Sequence, residues 1–495
     1  MINYGVVTTR FDLWFKVAKE LKYKKFATPI FWLDTRHYDQ QFKNEFPNCT
    51  SVSLIDYNNW CKGLFENKNI NTQDNIRFPK ERWSTIKDIV KLMFNRQNPI
   101  GQWRNLDMDA TVMNIYTNLY RSWPKSKIDV FVFAESPHTP VDYIVYEICK
   151  FKNIPTLILH QHNIAAVSMF KWDIGGKSIK LKQNLLSEDL ELKVKSRLKN
   201  HFENLRNNTD FETWYVKGFN KASSKKLRLK TKRYKTLGIE IWGNLRGKRS
   251  SRSVYQSYSS LNPRLFDPIR AEILNGKMRK KLKENFNKNL DKDYPEDFVL
   301  FPLHYEPERT TVPDGGLYYD QMVALLALRS KLDPSIPILV KEHFLTFSIV
   351  LAGKDGRSSY FYDFVKSLPN TYLIDYKLNT RKLIKKSKAV ATVCGSVLYE
   401  SVALDTPAIM FGHSWFEGAP GIYQFDKLNE INLDELTANY DSMMEYFNSQ
   451  ISNYSIFAAS HTSWIPPMKQ VLGSKYSIEL EKDHLVKALN EIFEL

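Results

Sequence analysis

Short apolar runs of strand length alternate with stretches of helical periodicity in both halves of this 495-residue chain, and a polar, lysine-rich tract separates the halves. In the first half, Ala27 to Asp34 (ATPIFWLD), Thr50 to Asp56, Asp129 to Glu135 (DVFVFAE) and Pro155 to His162 (PTLILHQH) read as buried strands. Between the last two, VDYIVYEICKFKN places Tyr143, Val145, Tyr146, Ile148 and Cys149 on one helical face. A strand, a helix and a second strand form a βαβ unit, which predicts a parallel sheet. From Asp297 the rhythm is regular. Strands at Phe298 to Tyr305, Pro337 to His343, Tyr372 to Asp375 and Ala389 to Val393 alternate with helices at Tyr318 to Lys331, Ser358 to Ser367 and Thr380 to Ser387, the last with Asn379 as N-cap. The block Ala389 to Gly412 (AVATVCGSVLYESVALDTPAIMFG) then adds a tight Gly-Ser turn, a short helix and another buried strand. The pattern predicts a doubly wound sheet whose ligand sits outside the carboxyl ends of its strands.

The length exceeds one ordinary core. The boundaries divide the chain into a Rossmann-like α/β domain over residues 1–176, a basic and mostly helical insertion over 177–295, a second Rossmann-like domain over 296–450, and a helical segment over 451–495 that braces the first domain. Hydrophobic residues make up 43% and charged residues 25%, as in folded globular proteins. No apolar run approaches the ~20 residues that span a bilayer, and the opening MINYGVVTTRFDLWFKVAKE has no secretory apolar core, so no export is expected. Cys49, Cys61, Cys149 and Cys394 are scattered without metal-ligand spacing, which suits a reduced, cytoplasmic setting. From Lys177 to Leu290 there are 29 basic against 10 acidic residues, whereas the rest of the chain carries 42 against 44. That tract, with KKLRLKTKRYK (Lys225 to Lys235) and RGKRSSRS (Arg246 to Ser253), is either a solvated helical insertion or a contact for an anionic membrane surface or acidic polymer. The helical stretch LSEDLELKVKSRLKNHFENL could project from the sheet domain, and low order is expected near Arg246 to Asn262. Nucleic acid is disfavoured, because no zinc spacing or nucleic-acid-binding motif accompanies the charge.

Candidate chemistry gathers at the predicted strand ends of the second domain. FPLHYEPERTT supplies His304, Tyr305, Glu308 and Arg309; VKEHF supplies Lys341, Glu342 and His343; TVCGS supplies Thr392, Gly395 and Ser396, with Glu400 one turn further on. A phosphate at the Gly-Ser turn could take backbone N–H bonds and the Ser396 hydroxyl while Lys341, His343 or Arg309 neutralises its charge. Glu400 could accept from sugar hydroxyls. The ordinary alternatives are structural hydrogen bonds for the histidines, an N-cap at Ser396, a turn glycine at Gly395, and a Glu308–Arg309 loop pair. In the first domain, AESPHTPVDY ends a strand and opens a helix. Its Glu135, His138 and Asp142 suit acid–base work across a cleft; alternatively Asp142 caps the helix, Glu135 is solvated and His138 packs on Pro137. His160, Gln161 and His162 end the next strand and could face the same cleft. No carboxylate completes a metal-ligand spacing with them, and Asp107 and Asp109 read as a helix-capping pair.

FPLHYEPERTTVPDGGLYYDQ, VKEHF, the Ala389 to Gly412 block, SWFEGAPG and ESPHTPVDYIVYEICKFKNIPTLIL together resemble the capsular polysaccharide biosynthesis glycosyltransferases, over some 200 residues in two blocks. The resemblance implies a GT-B-like fold: two Rossmann-like domains facing a cleft, the acceptor side in 1–176 and the nucleotide-sugar side in 296–450. It also implies a metal-independent transferase with no cofactor beyond a nucleotide-sugar co-substrate. Relatives among the Kdo and sialic-acid transferases use CMP-activated sugars held by a His-Pro motif and a Ser/Thr turn, which map to His343 and Ser396; here Phe344 stands where the proline would be. The expected acceptor is a growing glycan or lipid-linked glycan, with a cytoplasmic location that leaves room for peripheral attachment to the inner face of the membrane. A CDP-polyol phosphotransferase of teichoic-acid type, and a non-catalytic glycan- or polyanion-binding protein on the same scaffold, are the competing expectations.

Overall fold

The computed structural model describes residues 1–34, 40–53, 76–95, 105–208, 267–306, 310–347 and 356–494. Glu308, Arg309, the KKLRLKTKRYK tract and the stretch from Arg246 to Asn262 lie outside them.

The first sheet contains β1 (Ile2–Val7), β2 (Ala27–Asp34), β3 (Thr50–Ser53), β4 (Val130–Phe133), β5 (Thr156–His162) and β6 (Val167–Trp172). Strands β3, β2, β1, β4 and β5 run parallel in that order, and β6 is added antiparallel at the β5 edge. Alternate residues serve two cores. Val7, Phe31, Leu33, Phe131 and Phe133 face one layer of helices, and Tyr4, Val6, Trp32, Val130 and Val132 face the other. Gly5 admits the Phe131 ring where a Cβ would lie 2.3 Å from a ring carbon. Strand β1 and its following helix, Phe11–Tyr23, occupy the centre of this domain, although the sequence pattern had passed over both.

The second sheet contains β7 (Val299–Pro302), β8 (Ile338–Lys341), β9 (Thr371–Ile374), β10 (Ala389–Thr392), β11 (Ala408–Met410) and β12 (Ile422–Gln424). All six run parallel, in the order β9-β8-β7-β10-β11-β12. This is the doubly wound order of a Rossmann domain, and its chain reverses direction across the sheet between β7 and β10. In the first sheet the same reversal falls between β1 and β4. The fold is therefore two Rossmann-like α/β domains in a GT-B-like arrangement.

A shared apolar core joins the domains. It combines Ile164, Val167 and Met169 of the first with Leu398, Tyr399, Val402, Met410 and Trp415 of the second. The helix Glu188–Asn207 lies between them and does not project. Its Leu190, Val194, Leu198, Phe202 and Leu205 are buried because they recur at three- and four-residue spacing along one stripe. On the opposite side, Val312 of the second domain is buried in the first domain's core. Beyond it, β13 (Ser455–Ile456) pairs antiparallel with β6, and the helix Ile478–Phe493 packs on Phe11–Tyr23. Among the described residues no helix is long and apolar enough to cross a membrane.

Candidate functional site

The two reversal points set the geometry. At the second domain's, His304 follows β7 and its Nε2 accepts the Cys394 N–H beyond β10 at 3.2 Å. Cys394 Sγ bonds to the Thr310 carbonyl at 3.0 Å, and Thr392 Oγ1 donates to the Pro302 carbonyl at 2.7 Å, so the two strand ends are tied on both sides of the imidazole. Gly395 lies against the ring, where a Cβ would sit 3.1 Å from His304 Cε1. Burial pushes the His304 pKa down to about 3, so the ring is neutral at pH 7 and works as an acceptor.

Ser396 occupies the N-cap position of the helix Val397–Ala403, which is only seven residues long, but its side chain makes no capping hydrogen bond. Its hydroxyl donates to Glu400 at 2.9 Å, and burial raises the Glu400 pKa. The short helix thus offers little dipole, and the crevice is built from strand ends. Lys341 ends β8 and donates to the Tyr376 carbonyl at 2.9 Å; burial lowers its pKa to about 8. His343 is brought down to about 4 by burial, so it too is neutral at pH 7. Its Nδ1 accepts the Leu345 N–H at 3.3 Å, which leaves the proton on Nε2 as a donor. The His343 ring stands 5.8 Å from that of Tyr305 and 4.7 Å from that of Phe344. Of the cations expected to neutralise a phosphate, Lys341 is engaged with a backbone carbonyl, His343 is uncharged, and Arg309 lies outside the described residues.

At the first domain's reversal point, Glu135 and Ser136 follow β4 and are buried, while Thr8, Thr9 and Arg10 follow β1. His138 Nδ1 lies 2.9 Å from the Ser136 carbonyl and 3.8 Å from Glu135 Oε1. Thr139 caps the helix Pro140–Phe151, receiving the Asp142 N–H at 3.4 Å; Asp142 sits in the first turn as an acidic residue at the positive end. Arg10 is clamped by Glu481 and the Ala459 carbonyl, and Thr9 Oγ1 donates to the Ser460 carbonyl at 2.7 Å. The segment after β13 therefore crosses this end of the sheet. His162 turns away from the cleft and stacks on Trp415 at 3.8 Å within the shared core.

The two walls meet directly. The Ser136 hydroxyl, beyond β4, donates to the Asp314 carboxylate in the loop beyond β7. The Asp314 carbonyl accepts the His413 N–H at 2.8 Å, and Gly412 packs where a Cβ would lie 2.7 Å from that oxygen. Lys171, almost fully buried on β6, reaches the Ser414 carbonyl at 3.4 Å, with Glu417 and Asp314 as its nearest negative charges. Sequence reasoning overlooked Ser136, Lys171 and Asp314 because none stands in a periodic pattern. Ser136 and Asp314 are signalled only by position, beyond a strand and within VPDGG, and Lys171 only by a charge inside the apolar strand β6.

No protein-family model matches the chain, and no curated protein matches it. Similar solved structures include Thermosulfurimonas dismutans KpsC, beta Kdo 2,7 transferase (12% identity, 41% of this chain and 62% of that one, TM-score 0.21). A second is the same organism's KpsC, beta Kdo 2,4 transferase (12% identity, 70% and 88%, TM-score 0.24). A third is UDP-GlcNAc 2-epimerase from Neisseria meningitidis bound to UDP-GlcNAc (11% identity, 99% of each chain, TM-score 0.18). The first of these is matched over less than two thirds of its length, and values this low carry nothing about activity.

Proposed function

We propose that the chain is a metal-independent glycosyltransferase that moves a sugar from a nucleotide-activated donor to a growing surface glycan or lipid-linked glycan. The observation that carries the proposal is the Ser136–Asp314 hydrogen bond, which sets the reversal point of one Rossmann-like domain against that of the other. The donor nucleotide lies at the second domain's crevice, where the Nε2–H of His343 bonds to its phosphate and the Ser396 hydroxyl turns from Glu400 to donate to it. His138 takes the acceptor's hydroxyl proton. The acceptor oxygen bonds to the anomeric carbon as that carbon's bond to the phosphate breaks, and the nucleotide departs with the negative charge. Two neutral hydrogen-bonding histidines and a buried Lys341 that keeps most of its charge at pH 7 suit a site that stabilises charge as it develops.

Calorimetric titration with CMP, UDP and GDP tests the donor side and selects the base. One of them is expected to bind, and Ser396→Ala and His343→Ala are each expected to weaken it about 10- to 100-fold through a lost charge-assisted hydrogen bond. Wild-type affinity in both variants refutes the site. A product polymer that contains phosphorus would point instead to the CDP-polyol phosphotransferase.

The proposal extends to an anionic membrane surface as partner of the basic tract. On the helix Asp267–Asn289, Lys277, Lys280, Lys281, Lys283 and Lys288 are exposed beside Ile273 and Met278. Co-sedimentation with phosphatidylserine vesicles is expected to exceed that with neutral vesicles and to fall with salt; indifference to lipid charge removes this partner.

A further inference from the structure

We infer that the buried Glu342–Arg357 ion pair is a positioning device that sets His304 and His343 at the second domain's crevice. The inference rests on the reading of that crevice as the nucleotide site. Glu342 follows Lys341 at the end of β8 and is fully buried; Arg357 reaches it from a separate loop that leads into the helix Phe361–Ser367. The carboxylate accepts from five donors. Oε1 takes the His343 N–H at 2.6 Å, the Thr346 hydroxyl at 3.0 Å and Arg357 Nη2 at 3.2 Å. Oε2 takes Arg357 Nε at 3.0 Å and the Tyr362 hydroxyl at 2.7 Å.

The guanidinium does more than neutralise this charge. Its Nη2 also donates to the His304 carbonyl at 2.6 Å, while the His304 N–H is held by Gln321 Oε1 at 2.7 Å. One ion pair therefore touches the backbone of both histidines, through a carbonyl on one and an N–H on the other. The paired charges hold Glu342 ionised and Arg357 protonated in spite of their burial. Burying two charges is costly, and an apolar pair of equal volume is commonly as stable or more so. Fold stability alone therefore gives little reason for a charged pair here. Its geometric consequence, a fixed orientation of two site imidazoles, gives one.

The test separates positioning from stability. Glu342→Leu combined with Arg357→Met keeps the volume and leaves no unpaired charge, so it is expected to fold, with a lower melting temperature because the Tyr362 and Thr346 hydroxyls, the His343 N–H and the His304 carbonyl each lose a partner. Its affinity for whichever of CMP, UDP or GDP the wild type binds should fall about 10- to 100-fold, as expected when hydrogen-bonding site groups lose their alignment. In protein carrying 13C-labelled histidine, the His304 and His343 ring signals, assigned by substitution, should both move. Arg357→Lys, which keeps the charge on a shorter side chain but has no second nitrogen to replace Nε at Glu342 Oε2, should move the histidine signals and weaken binding by less; this variant decides the matter if the double substitution does not fold. Wild-type affinity with unmoved ring signals in a folded variant overturns the inference. Should the wild-type protein bind none of the three nucleotides, the nucleotide-site reading fails, and the ring signals alone still decide whether the ion pair positions the histidines: movement supports it, and no movement overturns it.

Discussion

The fold is expected to lose several kcal/mol of stability between pH 6.5 and pH 4, and buried histidines are the main cause. Burial holds His162 and His304 down at about 3, and His201, His343 and His484 at about 4. Each of these groups has its folded value depressed below the ~6.5 of an unfolded chain. Through that interval the unfolded chain binds protons that the native chain refuses, so stability rises with pH and is lost as pH falls. Each histidine contributes up to about 1.4 kcal/mol per pH unit between its two values. His162 is the sharpest case: its Nδ1 accepts the Ala165 N–H at 3.2 Å and its ring is pressed on Trp415. The basic excess of the chain also repels itself more strongly in acid, but that repulsion is screened by salt, whereas the penalty on a buried imidazole is not. Urea unfolding at pH 7, 6 and 5, each at low and high salt, therefore gives a steep acid loss that survives the salt. His162→Phe should flatten the slope by about the share of one histidine. A midpoint that stays constant from pH 7 to pH 5 contradicts the neutral, buried state of these rings.

The second domain was readable along the chain because each of its strands is a short apolar run bounded by polar residues, and the helices between them carry their own periodicity. The predicted strand Ala389 to Val393 and the observed β10, Ala389–Thr392, differ by one residue. Strand β1 was missed because INYGVV places a glycine and an asparagine where a buried strand usually shows branched residues. Gly5 is there for the Phe131 ring, a contact that no local pattern reveals. Likewise the leucines of Glu188–Asn207 announced an amphipathic helix, but the partner of its apolar stripe comes from both domains and so is invisible to periodicity. At the site, strand-end placement is what the sequence could supply. It could not tell that Ser396 turns to Glu400, that Lys341 is spent on a carbonyl, or that Asp314 would hold Ser136, because these depend on side-chain direction after folding.

Replacing His138 by alanine is expected to slow transfer by about 10²- to 10⁴-fold, the usual contribution of a positioned general base. Direction as well as location supports the role. A carbonyl oxygen can only accept, so the Ser136 carbonyl at 2.9 Å assigns the imidazole proton to Nδ1 and leaves the lone pair on Nε2, the nitrogen that can remove a proton. Glu135 Oε1, 3.8 Å from Nδ1, favours the imidazolium formed once that proton has been taken. The neighbouring Ser136–Asp314 bond then ties this base to the loop that follows β7, so base and donor crevice are held in one frame. The consequences separate by measurement. His138→Ala should lower kcat with nucleotide affinity unchanged, since the base serves the acceptor; Asp314→Asn, which weakens the tie without removing a reacting group, should cost less. Single-turnover transfer with the donor selected by titration reads both. If His138→Ala turns over at the wild-type rate while Ser396→Ala still loses nucleotide, the donor side stands, and the proton must leave by a group other than His138.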